Sequence, residues 1–168
     1  MATIDMTRHQ GSAGVALVEL SSRKQQHYIV RTDIKAEQSE NGDIVSFFEK
    51  IFPYKPTMAE VKDFVFSVIN AKTDEKILGG FVWNGVNVWL SAENQRNFSE
   101  AQRLGNVPVK FKLGEGDDGS PIYHTFSSTE ELDGFYHEAA AYIQQCLQEG
   151  WNEKDGVDFS EYERLLGE

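Results

Sequence analysis

The stretch Phe81-Val82-Trp83-Asn84-Gly85-Val86-Asn87-Val88-Trp89-Leu90 decides how the rest of the chain is read. Asn84-Gly85 suits a type I′ turn, because both central residues of that turn need positive φ. Pairing about the turn puts Phe81, Trp83, Val86, Val88 and Leu90 on one face and Val82 and Trp89 on the other. Apolar residues on both faces predict a hairpin covered on both sides, and a hairpin is a unit of antiparallel sheet.

Downstream, Ser91 is placed to cap a helix over Ala92–Leu104, with Phe98, Ala101 and Leu104 inward and Gly105-Asn106 closing it. Val107, Val109, Phe111 and Leu113 alternate with Pro108, Lys110 and Lys112, the period of a half-exposed strand. After a glycine-rich loop, Ile122, His124 and Phe126 alternate with Tyr123 and Thr125, completing a second hairpin. Ser128-Thr129-Glu130-Glu131 has capping-box spacing and opens a long helix bearing Leu132, Phe135, Tyr136, Ala139, Ile143, Cys146 and Leu147. Gly150 is expected to end or loosen it, with Trp151 packed just beyond and a short amphipathic tail around Phe159, Tyr162 and Leu165.

Upstream, residues 1–14 are small and polar and read as a flexible arm. Val15–Leu20 and Tyr28–Ile34 suit strands, and the polar Ala36–Asp43, with Asn41-Gly42, suits a turn. The aromatic run Ile44–Phe52 reads as a short helix stopped by Pro53. Thr57-Met58-Ala59-Glu60 is a capping box for a helix whose apolar stripe is Val61, Phe64, Val65, Val68 and Ile69. The expected class is α+β: a mostly antiparallel sheet built from hairpins, helices packed on it, and a long C-terminal helix. The organisation is an arm (1–14), an N-terminal α+β part (15–76) and an α+β domain (77–168), the last two forming one compact unit.

At 168 residues, 40% of them apolar, the chain buries enough surface to be stable without metals or disulfides. Its one cysteine, Cys146, has no internal partner. No apolar run reaches the roughly 18–20 residues that span a bilayer, so membrane insertion is not expected. Met1-Ala2-Thr3-Ile4-Asp5 lacks the basic and apolar regions of a signal peptide. The net charge is −11, and 14 of the 27 Asp and Glu lie from Glu115 onward against 2 of the 16 Lys and Arg. Such a C-terminal third repels phosphate backbones, so nucleic acid is not an expected partner.

Gly114-Glu115-Gly116-Asp117-Asp118-Gly119 matches the dinucleotide pattern G-x-G-x-x-G, but a strand follows it where a helix N-terminus would be needed. Its carboxylates, Glu115, Asp117 and Asp118, are weak calcium candidates, because the EF-hand ligand order is absent. His124 reads as a half-buried histidine bonded to backbone or to Ser/Thr, and Cys146 as a core residue. No catalytic and no cofactor-binding residues are assigned, and an enzyme is not expected. Partner contacts are expected instead from the aromatics Phe47, Phe48, Phe52 and Tyr54, and from Trp89. Trp89 is also the candidate stacking platform of a carbohydrate-binding alternative. A small metal-dependent enzyme using His124 and the acidic loop is a further one.

Over residues 77–162 the chain resembles a small domain of unknown function encoded in bacteriophage and prophage tail gene clusters, especially of gut Bacteroidales. The resemblance is carried by Gly80-Phe81-Val82-Trp83-Asn84-Gly85 and Val88-Trp89-Leu90-Ser91-Ala92-Glu93-Asn94-Gln95. It continues in Val107-Pro108-Val109-Lys110-Phe111-Lys112-Leu113-Gly114 and Pro121-Ile122-Tyr123-His124-Thr125-Phe126. Gly150-Trp151-Asn152-Glu153-Lys154-Asp155, Asp158 and Tyr162 complete it. The resemblance implies a virion location after assembly in the bacterial cytoplasm. Other phage structural proteins are the implied partners, with a homo-oligomer as a further expectation by analogy. The alternative in the same setting is a tail-fibre assembly chaperone absent from the finished particle.

Overall fold

The computed structural model describes residues 7–12, 14–21, 27–39 and 42–167. The chain is α+β, with antiparallel sheets and a C-terminal helix running Thr129–Asp155. Its elements, in order, are β1 (Arg8–Ser12), β2 (Val18–Ser21), β3 (His27–Ser39), β4 (Gly42–Phe52), α1 (Met58–Gly79), β5 (Phe81–Trp83) and β6 (Val86–Val88). They continue with α2 (Ala92–Leu104), β7 (Val109–Glu115), β8 (Pro121–Phe126), α3 (Thr129–Asp155) and α4 (Ser160–Leu166). Contacts group them into two compact units, one of residues up to Ala71 together with Lys154 onward, the other Lys72–Glu153. No described helix is long and apolar enough to cross a membrane.

In the first unit the strand order is β1-β4-β3-β2, with all three pairings antiparallel. Three expectations are corrected here. Residues 8–12, read as part of a flexible arm, pair with β4 as an edge strand. Arg8 fastens that strand, donating to the Asp33 carboxylate at 2.7 Å and to Ser46 Oγ at 2.8 Å while lying over the Phe48 ring. Residues 1–6 and 13 of the expected arm lie outside the described residues, as does Asn41 of the expected turn.

The further corrections are that Ala36–Ser39 belong to β3 rather than to a turn and that Ile44–Phe52 is strand, not helix. Buried side chains stand on both faces of β4, and a strand covered on both faces loses the simple alternation that would announce it. Phe52 joins the core made with the α1 stripe Val61, Phe64, Val65, Val68 and Ile69, while Phe48 is partly buried against it. Phe47 and Val45 are buried as well, Phe47 beneath the guanidinium of Arg31. Arg31 is itself 7% exposed. Its desolvation is offset by Glu19 at 2.8 Å, Glu49 at 3.2 Å and the Ala16 carbonyl at 3.2 Å.

The capping box at Thr57 forms as expected, with Glu60 N donating to Thr57 Oγ1 and Thr57 N to Glu60 Oε2. At the other end of the chain, α4 buries Tyr162 and Leu166 rather than Leu165, which is half-buried. The buried Tyr162 hydroxyl donates to the Arg31 carbonyl at 2.7 Å, so the C-terminal residues pack on the first unit's sheet.

In the second unit, one aromatic-rich core joins Ile77, both hairpins, α2 and α3. Gly150 does not end α3. It is buried against Thr73, where an added Cβ would come within 2.5 Å of the threonine hydroxyl, so its role is close helix approach. Trp151, one residue on and therefore turned to another helix face, is exposed rather than packed. Leu104, expected inward, is half exposed at the last residue of α2.

Tyr162→Phe should cost about 1–3 kcal/mol, because it leaves the buried Arg31 carbonyl without its hydroxyl donor. Urea unfolding of the full chain measures this. Burial raises the pKa of the Tyr162 hydroxyl first of all, so its contribution is full below the ordinary tyrosine value of 10.0 and is lost as pH rises through the folded value. The gap between the two proteins should therefore narrow at strongly alkaline pH.

Candidate functional site

All of the site lies in the second unit. Asn84 and Gly85 adopt φ of 49° and 78°, the two positive values the expected turn requires. Phe81 pairs with Val88 and Trp83 with Val86, and this face is buried in the core except for the half-buried Val86. The opposite face departs from the expectation of two-sided cover. Val82 is 61% exposed and Trp89 is 41% exposed.

The second hairpin lies beside the first. Trp89 N donates to the Leu113 carbonyl at 2.8 Å, and Asn94 Nδ2 donates to the Trp89 carbonyl at 2.8 Å, so the tryptophan backbone is held at both ends. The buried Gly114 is required at this seam, since a Cβ there would run into the Asn87 carbonyl oxygen. Lys112 stands opposite Tyr123 in register. Its ammonium lies 5.3 Å from the centre of the Trp89 ring, and that of Lys110 lies 4.4 Å from the centre of Tyr123. Tyr123 is 54% exposed. The result is an outward strip of Val82, Trp89, Lys112, Tyr123 and Lys110, with Glu115 paired to Lys112 at 2.7 Å.

Behind this strip, His124 is not bonded to backbone or to Ser/Thr as expected. Its Nε2 is 2.8 Å from Glu131 Oε1, and its ring meets Trp83 and Phe126 edge-on at 5.0 and 4.6 Å. Glu131 Oε2 also accepts from Ser127 N at 3.0 Å, and Ser128 Oγ from Glu131 N, so the carboxylate belongs to the helix cap. These two bonds, the Ser127 amide before His124, hold the Glu131 carboxyl below the ordinary glutamate value.

The acidic loop closes on itself. Gly116 N donates to the Ser120 carbonyl and Ser120 N to Asp118 Oδ1, and the Ser120 bonds hold the Asp118 carboxyl below its ordinary value. A strand, β8, follows it. Among the described residues no three His, Cys, Asp or Glu side chains converge as a metal site, and Glu115, Asp117 and Asp118 form none. Cys146 is buried. Nearby, burial above all pushes the Tyr142 hydroxyl up to about 12, and that hydroxyl donates to the Lys76 carbonyl at 2.9 Å.

Of the aromatics singled out for partner contact, Phe47 and Phe52 are buried in the first unit. Phe48 is partly buried beneath Arg8. Tyr54 is exposed, its hydroxyl donating to Glu60 at 2.6 Å. Trp89 is exposed, with the Lys112 ammonium over its ring in the strip just described. Tyr123, Lys110 and Lys112 were not singled out, although the alternation of residues 107–113 and 122–126 already places them on the outward side.

A family model of a domain of unknown function, DUF4376, matches residues 60–164. The chain belongs to this family. The DUF4376 match takes in both hairpins, α2 and α3, and therefore every residue of the outward strip. No curated protein and no solved structure matches the chain.

Because the Glu131 pKa is depressed on folding, its contribution to stability is present above the ordinary value of 4.5 and is lost as pH falls through the folded value. Glu131→Gln should therefore unfold more readily than the parent at neutral pH. Denaturant midpoints measured from neutral to strongly acidic pH should converge at the acidic end.

Proposed function

We propose that the chain is a non-enzymatic protein-binding module of a bacteriophage particle. In this reading it docks on other structural proteins of the tail or virion through the strip of Val82, Trp89, Lys112, Tyr123 and Lys110. The observation that carries the reading is the exposure of a tryptophan, a tyrosine and a valine together on one side of neighbouring strands. Isolated apolar side chains at a surface need no explanation, but a cluster ringed by charge is the usual form of a docking patch. Trp and Tyr are also the residues that most often dominate interface energies. Holding Trp89 by backbone bonds on both sides lowers the ordering cost of binding.

The lysines favour a protein partner over a sugar. Carbohydrate stacking needs a bare ring face, whereas Lys112 lies over Trp89 and Lys110 over Tyr123. A partner that brings carboxylates to those ammonium groups and apolar groups to the rings meets both features at once. The phage setting is supported by the resemblance of residues 77–162 to tail-cluster domains. A structural role for His124 and Glu131, tied into the cap of α3 and the aromatic core, supports a non-enzymatic reading.

The test is quantitative mass spectrometry of purified particles of the encoding phage or induced prophage, compared with the lysate. The chain should be present at a fixed ratio to the major tail or capsid protein. The Trp89→Ala, Tyr123→Ala double variant should fold yet be depleted from particles, since truncating one interface aromatic costs roughly 2 kcal/mol or more, about 30-fold in affinity. Wild-type incorporation of the double variant would exclude this strip. Abundance in the lysate with absence from particles would replace the virion reading with an assembly chaperone.

A further inference from the structure

A second surface of the same unit lies between α2 and α3. Ala92, Gln95, Arg96, Ser99, Glu100 and Arg103 repeat at helical spacing along one face of α2 and line a groove of about 860 Å³. Across it stand Tyr136, Ala139, Ala140 and Ile143 of α3, again one helix face. Ala92, Ser99, Ala139 and Ala140 contribute short side chains to its lining.

Its shape and charge indicate an occupant. From Ala92 to Arg103 the groove follows about three turns of α2, roughly 16 Å at 1.5 Å per residue. That is the length over which a third helix presents one apolar stripe, and helix-in-groove docking reads such a stripe. Arg96 has no ion-pair partner among the described residues. Arg103, two turns further along the same face, meets Glu100 only at 3.7 Å, with both side chains 68% exposed. Among the described residues Arg96 is therefore unpaired, and Arg103 is held only by this exposed contact to Glu100, which an acidic group two turns from Arg96 would have to displace. A second copy of this chain does not supply that helix, because its acidic helices α3 and α4 already bury their apolar stripes at Leu132, Phe135, Tyr162 and Leu166.

We propose that the α2–α3 groove docks an amphipathic helix of a partner protein, its apolar stripe seated over Ala139 and Ala140 and its acidic residues paired with Arg96 and Arg103. This surface is separate from the Trp89 strip and does not rest on it.

The test uses the full chain and a fluorescein-labelled synthetic helix of about three turns, with leucines at helical spacing and two glutamates two turns apart. A second peptide carries lysines in place of the glutamates. Fluorescence anisotropy should show saturable binding of the acidic peptide and none of the basic one. Arg96→Glu, a change at an exposed position, should weaken binding roughly ten-fold or more. Ala140→Phe, which fills the groove, should do the same with an unchanged circular dichroism spectrum, and if it misfolds Arg96→Glu decides alone. Trp89→Ala should leave peptide binding intact, which separates failure here from failure of the proposed function. Failure of the acidic peptide to bind, equal binding of both peptides, or no effect of Arg96→Glu would overturn the proposal. So would a dimer in light scattering that Arg96→Glu dissociates, which would assign the groove to a second copy.

Discussion

Phe135 is the side chain on which the second unit depends. It projects from α3 and meets Phe81 and Trp83 of β5, Phe98 of α2 and Phe126 of β8, with ring centres 5.0–6.1 Å apart. Edge-on and tilted pairs of this kind add roughly 0.5–1.5 kcal/mol each beyond the area they bury. Four elements thus share one ring. The consequence reaches the surface, because side chains of a strand alternate. Once Phe81 and Trp83 are drawn toward Phe135, Val82 has only the outward side left. The exposed strip is in this sense the other face of the aromatic core, and Gly114 keeps the two hairpins close enough for the strip to be continuous.

The first unit is held by a different device. Its sheet carries a buried arginine whose charge is met by two carboxylates and a carbonyl, and the main chain of that same residue receives the Tyr162 hydroxyl. Removing one acceptor from such an arrangement is more costly than its net contribution suggests, because the remaining charge stays buried. Residues from both ends of the chain therefore meet at Arg31.

Where local signals agreed, the fold was legible in the sequence. Asn84-Gly85 announced its turn. Ser91 and Gly105 bounded α2, with Asn94 N donating to Ser91 Oγ and Gly105 in the left-handed conformation. Where tertiary contacts set the outcome, the sequence misled. The β4 run has aromatics on both faces, and its period is hidden by burial on both sides. Arg8–Ser12 looks like an arm because an edge strand anchored by one arginine needs no apolar alternation. Gly150 looks like a helix stop because Thr73, its reason for being glycine, is far away in the chain. The site divides the same way. The hairpin register placed Trp89 on the face opposite Trp83 but predicted that face covered, whereas Trp89 is exposed, and Tyr123, Lys110 and Lys112 follow from alternation once the two hairpins are known to be neighbours. The α2–α3 groove was not legible, because two distant helices line it.

The central claim is that the strip beside Trp89 faces another protein. Photo-crosslinking from position 82 tests it most directly, with a benzophenone amino acid replacing Val82 in cells producing the phage proposed to encode the chain. The exposed Trp151, remote from the strip in sequence, serves as the control position. The account predicts a discrete covalent adduct between position 82 and one particle protein, with none from position 151. Adducts from 151 alone, or no adduct from 82 while particles form normally, would contradict it.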